Sequence, residues 1–240
     1  MSCKTKDQTT FIIAGSANMQ YALSEICDTF HSIYKIRPKL VFGSSGKLTA
    51  QIQEGAPYDI FLSADTKYPM ALFEQQLTVG KPETYAFGKL ILWTSVDSIP
   101  LSIAYLAKDS IKHIALANPA TAPYGVSAFE FLQNARLDKL LSDNLVYGEN
   151  IAQVNQFIYS GSAAVGITAH STVHNPQLNH YRNFLFIPDS LYKPIMQSAV
   201  LIQSENGINE WAKKFYTFIH SPIAVEILEN NGYSVHGKKE

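Results

Sequence analysis

Cysteine is nearly absent from this chain: Cys3 and Cys27 are the two among 240 residues. Two thiols cannot build a disulfide framework or a cysteine-rich zinc site. Neither sign of charge is in excess, with Lys plus Arg at 19, Asp plus Glu at 20 and a formal net charge of −1. Nucleic-acid binding rests on phosphate neutralisation, and no basic stretch is present to supply it. No apolar run approaches the roughly 18 residues of a membrane-crossing helix. Glycine- or proline-rich linkers, low-complexity segments and short internal repeats are also missing. Gly46-Lys47 and Gly88-Lys89 lack the upstream glycine and the following Ser or Thr of a P-loop. Gly43-Ser44-Ser45-Gly46 lacks the alternating glycines of a nucleophile elbow. No dinucleotide fingerprint occurs. The opening segment, Met1 to Thr10, is short, polar and charged and does not read as a secretory leader. That leaves two readings, a cytosolic protein or a chain beginning after leader cleavage with Met1 added.

What is present is apolar material for one sizeable core or two modest ones: 46% hydrophobic residues, including 13 Tyr and 13 Phe. The pattern is strand, turn, helix, repeated. Phe11 to Ala14 reads as a buried strand, and Met19 to Tyr34 carries apolar residues at helical spacing. Lys39 to Phe42 is a second strand, Leu48 to Gln53 a short helix stopped by Gly55, and Tyr58 to Leu62 a third strand. Strands follow at Lys89 to Trp93, Ile111 to Ala117, Asn144 to Tyr147, Ala163 to Thr168, Phe184 to Ile187 and Gln197 to Gln203. Helices are expected over Ala128 to Leu137, Ile151 to Tyr159, Ile208 to His220 and Ala224 to Asn230. This alternation predicts parallel sheets covered by helices. If there are two lobes, the chain crosses between them through ordinary strands, near Phe87 to Leu92 and near Ile195 to Val200.

Four strand-to-helix turns carry the chemistry. Ser16 starts the first helix, Ser44-Ser45 the second, Pro123-Tyr124-Gly125 a middle one and Glu149-Asn150-Ile151 the next. A helix start leaves backbone N–H groups unpaired and carries partial positive charge, so it favours an anion. Serine hydroxyls donate alongside, whereas Pro123 has no N–H, leaving Tyr124 and Gly125 as donors. Helix capping explains each turn taken singly. Spacing alone does not show that the four converge.

The runs Ile13-Ala14-Gly15-Ser16-Ala17-Asn18 and Phe42-Gly43-Ser44-Ser45-Gly46-Lys47-Leu48, followed by Gln51 to Asp65, resemble the periplasmic molybdate-binding proteins of ABC transporters. The resemblance continues through Asn118-Pro119, Pro123-Tyr124-Gly125, Gly148-Glu149-Asn150-Ile151 and Ala164-Val165-Gly166-Ile167, and closes at Phe215 to Ile219 and Gly232-Tyr233. It implies an α/β type II periplasmic-binding-protein fold: two α/β lobes, 10–88 plus 198–238 and 89–197, with a ligand cleft between them. It implies a binding protein and no enzyme, without a cofactor, carrying molybdate or tungstate as transported ligand. The contacts carried over are the hydroxyl and N–H of Ser16 and Ser45 and the N–H of Tyr124 and Ile151. The implied partner is the membrane permease of an ABC transporter, the protein itself acting as a monomer with no nucleic acid. The implied location is periplasmic or extracytoplasmic, with Cys3 placed as a lipid-anchored cysteine would be.

One departure stands out. Some members place a tyrosine hydroxyl on the anion just after the Gly-Ile strand, and Ala169 stands there in this chain. Ala17 N–H, Asn18, Thr168 or the Tyr124 hydroxyl are the candidates to compensate. A different solute, sulfate or a small organic acid, is the alternative ligand. A regulatory domain of the same fold would require a DNA-binding helix-turn-helix, for which no room exists before Phe11 or after Val235. A hydrolase using Ser16 or Ser45 would require a histidine, and none lies in the four turns. Lys47 reads as a solvated side chain, Asp59 and Asp65 as turn and cap residues. His170, His174 and His180 read as a surface loop and not as a metal site.

Overall fold

The computed structural model describes residues 10–175, 183–205 and 207–235. Among these, ten strands form two five-stranded sheets. The first contains β1 (Ile12–Ser16), β2 (Lys39–Gly43), β3 (Ile60–Ser63), β4 (Glu83–Gly88) and β10 (Ile195–Leu201), in the order β2-β1-β3-β10-β4. The second contains β5 (Leu90–Trp93), β6 (Ile114–Ala117), β7 (Leu145–Gly148), β8 (Val165–Ala169) and β9 (Phe184–Phe186), in the order β7-β6-β8-β5-β9. Each sheet has three parallel strands and then an antiparallel fourth. The chain leaves the first sheet at Gly88, enters the second at Leu90, and returns with β10.

Composition explains the parallel strands. Ile114-Ala115-Leu116-Ala117 is buried at every position, as is Ile60-Phe61-Leu62-Ser63. Such runs suit a sheet covered on both faces. The covers in the first lobe are α1 (Gln20–Tyr34), α2 (Ser45–Gln53), α3 (Lys67–Glu74), α6 (Glu210–Phe218) and α7 (Pro222–Asn230). In the second they are α4 (Pro123–Asn134) and α5 (Ile151–Tyr159). Each lobe has its own core, one around Leu23, Phe30 and Phe215, the other around Trp93, Phe131 and Ile167.

The structure departs from the sequence reading in two places. β4 was not anticipated: Glu83 and Thr84 are exposed and the strand lies at a sheet edge, so its apolar signal is short. The segment expected as a surface loop, His170–His174, is instead a 3-10 helix with Ser171 and Thr172 buried. It is buried because it meets the other lobe. The Ser171 hydroxyl donates to the Asn18 carbonyl, 2.9 Å away.

Phe215 sits in an aromatic nest, its ring centroid 5.2 Å from that of Phe30 and 5.7 Å from that of Phe11. Phe215→Ala removes the shared wall of this cluster. It is expected to lower stability by about 3–5 kcal/mol, read from a denaturant unfolding curve.

Candidate functional site

Two adjacent strands in each lobe end in a helix start, β1 and β2 in the first, β6 and β7 in the second. Parallel α/β sheets place ligands at such carboxyl ends. All four starts line one small cavity, formed by Ser16, Ala17, Asn18, Gly43, Ser44, Ser45, Ala64, Ala122, Pro123, Tyr124, Asn150 and Ile151. None of these residues carries a charge. The expected residues Ser16, Ser45, Tyr124, Ile151, Ala17 and Asn18 are thus brought together. Thr168 is not among the lining residues; its hydroxyl donates to Asn155 Oδ1 at 2.6 Å.

Hydrogen bonds decide which donors face the cavity. At the start of α2, Ser44 Oγ caps the Lys47 N–H, and the Gly46 N–H donates to the Thr121 carbonyl at 2.8 Å. The Ser45 N–H takes no partner among the described residues. At α5, Asn150 Oδ1 accepts the Gln153 N–H at 3.2 Å, and the Ile151 N–H takes none. At α4, Pro123 has no N–H and the Gly125 N–H turns back to Ala122, which leaves the Tyr124 N–H. Free N–H groups therefore remain at Ser45, Tyr124 and Ile151, one residue from each of these three helix starts.

The two serines form a relay. Ser16 Oγ and Ser45 Oγ lie 2.8 Å apart, Ser16 Oγ donates to the Leu62 carbonyl at 3.1 Å, and Ser45 Oγ accepts the Ala64 N–H at 3.1 Å. Both residues are almost fully buried. Each hydroxyl has one rotatable proton. A bound acceptor in the cavity would take both protons, while Ala64 continues to hold Ser45.

The side chain of Asn18 is committed elsewhere. Its amide donates to Gln197 Oε1 and to the Tyr233 hydroxyl, both at 2.9 Å, and that hydroxyl donates back to the Asn18 carbonyl. Asn18 thus ties the cavity wall to β10 and to Tyr233, just after α7. The Tyr124 ring runs toward the crossing strands. Its hydroxyl is buried without a hydrogen-bond partner. It presses on Gly88, where a Cβ would stand 2.0 Å from the oxygen, so only glycine fits there. Burial, and then the neighbouring Tyr233, hold the Tyr124 hydroxyl well above its usual range, so it stays protonated.

Around the rim, Lys47 is exposed, as its reading as a solvated side chain expects, and its Nζ also reaches Glu149 Oε1 across the cleft at 2.8 Å. Asp59 accepts the Ile12 N–H and Asp65 the Tyr68 N–H, the turn and cap roles expected of them. Burial raises both carboxyls. No group of three or more possible metal ligands occurs among the described residues, and His180 lies outside them. His170 and His174 face each other, Nε2 to Nε2 at 3.4 Å, and His170 Nδ1 lies 3.2 Å from the Gly232 carbonyl of the other lobe. Cys3 also lies outside the described residues. Among the described residues no helix is long and apolar enough to cross a membrane.

Comparison with known proteins gives the family. Residues 11–234 match the model of the family described as bacterial extracellular solute-binding protein. The molybdate-binding protein ModA of Rhodobacter capsulatus is 36% identical over 92% of this chain and 87% of its own length. ModA of Azotobacter vinelandii is 34% identical over 93% of this chain and 89% of its own length. The solved periplasmic molybdate-binding protein of Azotobacter vinelandii superposes with a TM-score of 0.88 at 30% identity, covering 95% of this chain and all of that one.

Burial lowers the pKa of His170 and of His174, and Lys89 and the second imidazole depress His170 further. The unfolded chain takes up these protons near the ordinary histidine value of about 6.5, before the folded one does. Stability is therefore expected to fall as the pH drops below that value. The loss is expected to be smaller in a His170→Gln/His174→Gln variant, as read from melting midpoints across the range.

Proposed function

The chain belongs to the bacterial extracellular solute-binding protein family, and from that premise we propose that it captures molybdate or tungstate between its lobes for uptake by an ABC transporter. It acts outside the cytoplasm as a binding protein and not as an enzyme, as a monomer, and hands the anion to the transporter's membrane permease. The bound anion is cargo, and no cofactor enters. Two curated relatives more than 30% identical over most of both chains carry the name molybdate-binding protein.

The observation that carries the ligand class is the uncharged cavity with free N–H groups at three helix starts, those of Ser45, Tyr124 and Ile151, and two rotatable hydroxyls beside them. A tetrahedral dianion leaving water loses many hydrogen bonds, and fixed donors replace them. Ser16 and Ser45 contribute hydroxyls from the first lobe. Tyr124 and Ile151 contribute N–H groups from the second, and Ala17 N–H completes the first helix start. Asn18 shapes the wall through its ties to Gln197 and Tyr233. Ala169 leaves no hydroxyl where some relatives have tyrosine, and Thr168 is held by Asn155. The Tyr124 ring, packed on Gly88, fills the hinge side instead.

A protonated phosphate requires an acceptor. The one carboxylate within the four turns, Glu149, is held by Lys47 at 2.8 Å. The site therefore favours an aprotic dianion. Sulfate shares that property and differs in size, so it is the competitor that matters.

Calorimetric titration of dialysed protein with molybdate, tungstate, sulfate and phosphate tests this reading. Molybdate and tungstate are expected to bind tightly, with sulfate and phosphate silent. Ser16→Ala and Ser45→Ala are each expected to weaken molybdate binding about ten- to a hundredfold, the loss of one hydrogen bond to a charged ligand. Ser45→Ala also strands the Ala64 N–H and is expected to lower stability by about 1–3 kcal/mol. Silence toward all four anions, or unchanged affinity in both variants, would remove these serines from an oxyanion site.

A further inference from the structure

Gly46 is the residue of the Gly43-Ser44-Ser45-Gly46 turn that does not line the cavity. Its backbone is not among the positive-φ glycines, so conformation does not demand glycine there. Its surroundings do. A Cβ on residue 46 would stand 2.9 Å from the Thr121 carbonyl oxygen, 3.0 Å from Thr121 Cα and 2.7 Å from the Tyr68 hydroxyl. Thr121 is backbone of the other lobe and cannot swing aside as a side chain would. The bare Gly46 N–H uses this proximity and donates to the Thr121 carbonyl at 2.8 Å. Beside it the Tyr68 hydroxyl, carried on α3, donates to the Ala120 carbonyl at 3.2 Å.

Both bonds run from the first lobe to the 118–122 segment of the second. That segment leads into α4, whose first free N–H is that of Tyr124. Both acceptors are backbone carbonyls, with no residue charge involved. The contacts lie at the mouth of the cleft, while the crossing strands lie behind it. An N–H at a helix start is ordinarily available to the anion. Here the structure gives one to the opposite lobe.

We propose that Gly46 and Tyr68 form a clasp that closes the lobes through the backbone of Ala120 and Thr121, independently of which anion is bound. This rests on the oxyanion reading and assigns positioning residues for it. The clasp raises the fraction of molecules in the closed, binding-competent arrangement. Apparent affinity scales with that fraction. Residues of this kind set how long an anion is held and leave anion choice to the cavity.

The test compares wild type, Gly46→Ala and Tyr68→Phe. Calorimetry gives affinity for molybdate and for tungstate, stopped-flow fluorescence gives dissociation rates, and melting of the anion-free protein gives stability. Alanine is a better helix former than glycine, so Gly46→Ala is expected to melt no lower than wild type. Its affinity for both anions is expected to fall together by roughly tenfold or more, mainly through faster dissociation. Tyr68→Phe, which removes the hydroxyl and nothing else, is expected to show a several-fold loss of the same kind. Affinity and dissociation equal to wild type in both variants would overturn the clasp. So would a change in the molybdate-to-tungstate ratio, which would move these residues into direct contact with the anion. If the wild type bound neither anion, the ligand assignment would fail by itself. The clasp would then be decided by small-angle scattering of the anion-free proteins, a Gly46→Ala profile more extended than wild type supporting it and an identical profile overturning it.

Discussion

A small dianion in water is surrounded by hydrogen-bond donors, and a protein that takes it up must supply donors of comparable number in fixed positions. Helix starts supply them at no cost in buried charge, because their first N–H groups have no intrahelical partner. One helix start offers few such groups. The requirement is met only if several starts converge, and that constraint organises the molecule. Two adjacent strands per lobe end in helices, and the lobes face each other so that four starts share one cavity. The connections at Gly88–Leu90 and before β10 let both sheets present the same edge to the cleft.

The caps follow from the same constraint. Each helix start sorts its donors between the protein and the cavity. Ser44 and Asn150 cap the Lys47 and Gln153 N–H groups, Pro123 removes a donor at the start of α4, and Gly46 hands its own to Thr121. What remains free is a small, directed set. The starts after Ser16 and Ala122 have no side-chain cap, and at the latter Pro123 limits the donors instead.

Much of this was legible in the residues. Apolar runs such as Ile60-Phe61-Leu62 announced buried strands, and the serine, asparagine and proline turns announced helix starts, because both signals are local. The edge strand β4 lacks a clear apolar run because its first two residues, Glu83 and Thr84, face solvent. The convergence of the four turns was not in their spacing either, since it depends on how two sheets face each other. It entered through the resemblance to molybdate-binding proteins. The cross-lobe partners of Lys47, Gly46 and Tyr68 are 102, 75 and 52 positions away in the chain, and no local pattern encodes such pairs. Ser171 and Thr172 look polar enough for solvent, but the Ser171 hydroxyl bonds to Asn18 of the other lobe and the Thr172 hydroxyl to Thr168 and Asn155 of its own.

The absence of a charged residue from the cavity wall bears on what a carrier must do after capture. A full countercharge buried beside the anion would have to be left unpaired on release, a penalty of several kcal/mol that slows exchange. Neutral donors carry no such penalty, because water replaces them when the lobes part. The ion pair across the cleft, Lys47 with Glu149, is half exposed and self-compensating, so it neither holds nor repels the anion strongly. Retention then depends on how firmly the lobes stay shut. On the proposed reading that firmness comes from two neutral hydrogen bonds at the mouth of the cleft, from the Gly46 N–H and the Tyr68 hydroxyl to backbone carbonyls. Such bonds exchange with water on opening and leave no buried charge behind. Tight capture and ready release are thereby assigned to different parts of the structure, the first to the converging helix starts, the second to the contacts that close over them.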